Sequence, residues 1–172
     1  MPFIDVPESD APNMEKVFAL RPDVLRAWQG LNESIKATAD FRRHELATLA
    51  AARRLRSSYC CLAHGSVLAE QFYDSETVAR LPEGLDAADR AVMAFAEKVV
   101  DDATSITQAD VDELRTHGLS DAQITDVVLA AAARCFFSKT LDALGALPDP
   151  HFADLPAELR DAMTVGRPIA TA

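Results

Sequence analysis

Cys60 and His64 stand four residues apart, and on a helix that spacing puts both side chains on one face. An imidazole there can accept the proton of a thiol or hold a thiolate. A helix starting near Ser57 or Ser58 would place Cys60 in its first turn, where free amides and the helix dipole favour an anion. Arg53, Arg54 and Arg56 form a basic cluster just upstream. The thiolate is the nucleophilic form of cysteine, so the segment reads as a place for thiol chemistry. Glu45 reaches His64 if the preceding helix packs back on this one, and it would then orient the ring as the third member of a nucleophile–base–orienter set. The same residues also suit a plainer role. A Cys–His pair on an apolar helix packs well in a core, and arginines near a helix start make a solvated face.

The elements that must position these groups are all helical. Pro22 suits a first helical turn, followed by Val24, Leu25, Trp28, Leu31 and Ile35 at helical spacing. Asp40 starts a second helix carrying Glu45, Leu46, Leu49 and Ala50, and a third runs from about Tyr59 to Phe72. Pro82 and Gly84 mark a loop, and Asp86 caps a helix whose inner face is Val92, Phe95, Ala96 and Val99. Thr107 and Ser120 cap two more, Ser120 with Gln123 as a capping box. Gly118 ends the first of these. Ile124, Val127, Val128, Ala131 and Cys135 form the core stripe of the second, which Gly145 and Pro148 stop. No segment alternates apolar and polar residues as a half-buried strand would. The expectation is one all-α domain over residues 1–172, with its core at about 15–148 and a surface-hugging tail at 149–172.

Composition narrows the function. Hydrophobic residues make up 49% and charged residues 26% of the 172, a globular balance. A formal net charge of −10 argues against nucleic acid and anionic membrane as partners. No stretch is long and apolar enough to cross a bilayer, and Met1 to Asp5 lack the pattern of a signal peptide. With three cysteines, an odd and low count, the chain reads as cytoplasmic rather than as a secreted disulfide scaffold. One Cys/His cluster falls short of the paired spacings of structural zinc, and no glycine-rich phosphate loop or dinucleotide fingerprint is present, so neither metal nor cofactor is expected. His44 reads as exposed beside Arg42 and Arg43, His117 as a helix-end cation, and His151 lies in the tail. Asp101-Asp102 reads as a solvated helix end, and Trp28 as core or subunit interface ahead of a ligand platform.

The segment from Glu45 to Gly65 resembles the signature of the AhpD-like alkylhydroperoxidase and carboxymuconolactone decarboxylase superfamily: a glutamate, eleven residues, Cys-x-x-Cys, three residues and a histidine. Glu45 matches the glutamate, Cys60 the second cysteine and His64 the histidine, and the likeness extends over about residues 15–148. It implies an AhpD-like helical bundle that assembles as a homo-oligomer (dimer, trimer or hexamer). It also implies a thiol peroxidase in which Cys60 attacks a small organic hydroperoxide or hydrogen peroxide, His64 handles the proton and Glu45 orients His64.

The chain departs from the pattern at the first cysteine, where Ser57 stands. A serine cannot condense with a sulfenic acid into a disulfide. Ser57 is instead expected to hydrogen-bond the thiolate or to cap the helix. Cys61 points about 100° away from Cys60 on a helix and reads as a small core residue, since a vicinal disulfide would be strained. Cys135 resolves Cys60 only if its helix crosses close by. The remaining route is an external thiol or redox protein as reductant. Two alternatives stay open: a decarboxylase-like acid–base enzyme using Glu45 and His64, and a non-enzymatic stress-related protein with a vestigial site.

Overall fold

Side-chain caps set many of the helix starts. Asp40, Asp74, Asp86 and Ser120 each accept the backbone amide three residues ahead, and each begins a helix. The computed structural model describes residues 2–171, and α- and 3-10 helices are the regular elements among them. In chain order these are α1 (Asn13–Lys16), α2 (Pro22–Lys36), α3 (Phe41–Arg54), α4 (Ser58–Gln71), α5 (Ser75–Arg80), α6 (Ala87–Asp102), α7 (Gln108–Thr116), α8 (Asp121–Ala143) and α9 (Ala157–Met163). Short 3-10 turns fill Ala103–Ser105 and Pro150–Asp154. No helix among the described residues is long and apolar enough to cross a membrane.

The centre of the fold is α3, which packs against α4, α6 and α8. Every residue from His44 to Ala52 is buried, so α3 is enclosed on all sides. Leu46 and Leu49 have no exposure, and burial of that kind contributes about 1.5–3 kcal/mol per side chain. A buried charge ties α3 to α6: Arg42 and Arg43 both bond the carboxylate of Asp89, the latter at 3.1 Å. The turn from α3 into α4 is short. Arg56 adopts a left-handed φ of +57°, and the Ser57 amide donates back to the Ala52 carbonyl at 3.0 Å. That turn makes Cys60 the third residue of α4.

Two expectations need correction. The tail is not a surface extension throughout. α9 packs on α4 and α5, with Leu159 and Met163 buried to 1% and 0% exposure. Met163 fits where Gly65 of α4 lacks a side chain; a Cβ there would lie 3.0 Å from its sulfur. Farther on, the Gly166 amide donates to Ser58 Oγ at 2.8 Å, and its Cα comes so close to the chain that a Cβ would sit 2.1 Å from the Arg56 carbonyl oxygen. The core stripe of α8 also runs differently. Ile124, Val127 and Ala131 are buried as expected, but Val128 and Cys135 are only half-buried, and the stripe continues through Arg134, Phe137, Ser138 and Leu141.

Because Met163 belongs to the core, Met163→Ala should cost about 2–5 kcal/mol of unfolding free energy in a urea titration. A loss below about half a kcal/mol would show that the tail is dispensable.

Candidate functional site

Glu45 projects from α3 with no exposure, and two other helices supply its partners. From α4, His64 Nδ1 lies 2.5 Å from Oε2; from the last residue of α2, Lys36 Nζ lies 3.0 Å from Oε1. Burial pushes the Glu45 carboxyl upward, but His64 and Lys36 outweigh it and hold the group down to about 2. Glu45 is therefore a carboxylate, and it accepts the Nδ1–H of His64. Burial, helped by the charge of Arg134, lowers His64 to about 4 against the opposing pull of Glu45. The imidazole is neutral near pH 7, with Nε2 free of a proton.

Cys60 is 2% exposed in the first turn of α4. Its sulfur receives a hydrogen bond from Ser138 Oγ at 3.1 Å and one from Arg134 Nη1 at 3.5 Å. Both donors come from α8, four residues apart on one face. Arg134 is 3% exposed, and no carboxylate among the described residues pairs with it. Its guanidinium carbon lies 5.8 Å from the ring centre of Trp28 and 5.5 Å from that of Phe137. Sequence reasoning missed Arg134 and Ser138, and Lys36 on Glu45 as well. For the first two the available signal was an arginine and a serine at i, i+4 within an otherwise apolar stripe.

The expected groups are thus only partly brought together. Glu45 and His64 meet. Cys60 and His64 share a face of α4, but no hydrogen bond joins them. The upstream arginines serve other ends: Arg53 donates to the Leu81 and Val78 carbonyls, Arg54 to Asp101, and Arg56 to the Val165 carbonyl. The cation at the sulfur is Arg134 instead. Ser57 occupies the cap position of α4, yet its hydroxyl neither caps the helix nor reaches Cys60. Fully buried, that hydroxyl lies near enough to Asp142 to oppose the upward push of burial on its carboxyl, without the geometry of a hydrogen bond. Cys61 is wholly buried, and burial raises its thiol far above the ordinary range, which suits a packing role.

His44 also departs from expectation. It is buried at 5% exposure because α3 is enclosed, and Arg42 and Arg43 reach away to Asp89. Its Nε2 lies 3.5 Å from Thr48 Oγ1 and its Nδ1 has no partner. Burial lowers it to about 4. His117 does close a helix, as the residue after α7.

No protein-family model matches the chain, and neither does any curated protein sequence. Solved structures do match. An alkylhydroperoxidase AhpD core, a peroxidase-related protein from Ralstonia eutropha JMP134, is 22% identical, with a TM-score of 0.79 over 88% of this chain and 94% of that one. A peroxidase-related protein from Silicibacter sp. TM1040 is 21% identical, with a TM-score of 0.69 over 82% of this chain and 78% of that one. The debrominase Bmp8, as a cysteine-to-alanine variant in complex with 2,3,4-tribromopyrrole, is 17% identical, with a TM-score of 0.70 over 95% of this chain and 98% of that one. The chain has the all-helical AhpD-like fold in a single domain.

Two neutral imidazoles, buried His44 and partly buried His64, make stability depend on pH. Both are lowered to about 4, below the unfolded value of 6.5, so the unfolded chain binds more protons below pH 6.5. Unfolding free energy should therefore fall as pH drops from 6.5 toward 4, with a slope of at most about 2–3 kcal/mol per pH unit. His44→Gln should remove about half of that slope between pH 6.5 and 5. A flat profile in the unsubstituted protein would show that the imidazoles charge freely.

Proposed function

We propose that this protein is a thiol-dependent peroxidase that reduces small organic hydroperoxides or hydrogen peroxide through Cys60. The observation that carries the reading is the sulfur itself, held by Ser138 and Arg134 in the first turn of a helix that also bears the Glu45-bound His64. A guanidinium and a hydroxyl donor stabilise negative charge on sulfur in a low-dielectric chamber. The sulfur attacks the terminal peroxide oxygen. The S–O bond forms as the O–O bond breaks, and Cys60 becomes a sulfenic acid. The thiol proton passes by way of His64 Nε2 to the departing alkoxide, which leaves as an alcohol. Glu45 keeps the second ring nitrogen protonated and the ring in place.

Resolution comes from outside the site. Ser57 offers no thiol, Cys61 is locked in the core, and on α8 it is Arg134 and Ser138, not Cys135, that reach the sulfur. An external thiol condenses with the sulfenic acid, releasing water, and a second thiol frees Cys60 as a disulfide leaves. The reading carries with it a reducing, cytoplasmic setting, a thiol or redox-protein partner and a homo-oligomer.

A second reading rests on one observation: His64 bonds Glu45 and not Cys60. A neutral, oriented imidazole is a general base in its own right, and decarboxylase-like acid–base chemistry would leave the thiol unused. The debrominase with its bromopyrrole shows that other chemistry occurs on this fold.

Exposure of the reduced protein to one equivalent of cumene hydroperoxide, followed by a dimedone-type trap and mass spectrometry, should label Cys60 alone. Cys60→Ser should lose at least about 100-fold in peroxide consumption, and Cys135→Ser should not. Full activity in Cys60→Ser would sink the peroxidase reading, and lactone decarboxylation untouched by Cys60 alkylation would establish the second.

A further inference from the structure

The two oxygens of the Glu45 carboxylate serve two different helices. Oε2 takes the Nδ1 side of His64 at 2.5 Å, and Oε1 takes Lys36 Nζ at 3.0 Å. The Glu45 side chain has no exposure and that of His64 13%, whereas Lys36 keeps 33%. Among the described residues Glu45 is the only carboxylate that pairs with Lys36. Lys36 is also the last residue of α2, the end of a helix where the dipole favours a cation. Ile35, the one fully buried residue of α2, stands next to it, so the anchored end of that helix is the end that delivers the charge.

A carboxylate bonded to an imidazole ordinarily draws a second proton onto the ring, because a buried anion favours a cation beside it. In this site the anion is already answered. The charged and titratable groups that face His64 are Glu45 of α3, Lys36 of α2 and Arg134 of α8. His44 of α3 lies within range of its charge, and the Cys60 thiol shares its helix. Lys36 and Arg134 outnumber the single carboxylate. A proton on His64 would therefore set a third cation against one anion, with little water to screen them. Without Lys36 the carboxylate and Arg134 balance, and the ring accepts a proton more readily.

We propose that Lys36 is a positioning residue, whose ammonium on Oε1 of Glu45 restrains the pull of the carboxylate on a second ring proton and so keeps His64 a base and not an imidazolium. Lys36 touches no reacting atom and acts through Glu45. Burial and Arg134 work in the same direction, and together they hold the ring down to about 4. The proposal rests on the base role of His64, which both functional readings share. Its consequence is that a helix contributing nothing to the sulfur sets the acid–base character of the group beside it.

The test is the titration of the His64 ring by NMR in the intact reduced protein, with the resonance assigned through His64→Gln. Lys36→Met keeps the length of the side chain and removes its charge. It should raise the titration midpoint of His64 by at least about half a pH unit, and Lys36→Arg should restore it. In a Glu45→Gln background the same Lys36→Met change should move His64 less than half as far, because the carboxylate that transmits the effect is gone. Unfolding curves check that each variant is folded. An unmoved His64 in Lys36→Met, with only stability lowered, would make Lys36 a latch for α2 and overturn the proposal. So would a downward shift, or an equal shift in the Glu45→Gln background. Under the peroxidase reading, the acid limb of Cys60 oxidation by cumene hydroperoxide should rise together with His64. A limb that stays in place while His64 moves would keep Lys36 in its role and remove His64 from the reaction of the thiol.

Discussion

Everything at the site hangs on a carboxylate that solvent never touches. Glu45 has no exposure, so its charge must be answered inside the protein or the fold loses several kcal/mol. The answer comes from two separate helices. Lys36 at the end of α2 and His64 in the middle of α4 converge on one carboxylate of α3. A single side chain thus fixes where α2 ends, how α4 lies along α3, and which nitrogen of His64 carries the proton. The imidazole is a base because Glu45 is an anion, and Glu45 is an anion because Lys36 and His64 are there.

The meeting of Glu45 and His64 was legible in the sequence, for a geometric reason; the part of Lys36 was not. Glu45 and His64 lie about equally far from the turn at Leu55, so two helices folding back on that turn bring them side by side. Asp40, Asp86 and Ser120 announced their helices because a side-chain acceptor ahead of an apolar periodic run has one common use. Helices α5 and α9 went unread, being only six and seven residues long, too short for a period to show. In α9 the pair Leu159 and Met163 is further hidden among prolines at 148, 150 and 156.

Arg134 and His44 escaped for a different reason. An arginine in a helix is ordinarily solvated, and a histidine beside two arginines ordinarily shares their exposure. Arg134 is buried because a sulfur 74 residues earlier receives it, and a one-dimensional pattern cannot show that. His44 is buried because α3 is enclosed by three other helices, which follows from the whole packing and from no local spacing. Cys60 was found by its neighbours in sequence, whereas the groups that touch its sulfur are neighbours only in space. Ser57 illustrates the converse. Its position matched a motif, yet its hydroxyl bonds neither the sulfur nor the helix it precedes.

The order in which this chain leaves the ribosome bears on when the thiol acquires its partners. Cys60 emerges long before Arg134 and Ser138, which follow by 74 and 78 residues, and Gly166 reaches Ser58 only 108 residues after it. Until then the first turn of α4 has neither its lid of backbone nor the donors of α8. The enclosure of the cysteine therefore waits on a helix made well after it. Because both donors to the sulfur lie on α8, Cys60 gains its partners only once the chain has been made at least as far as Ser138.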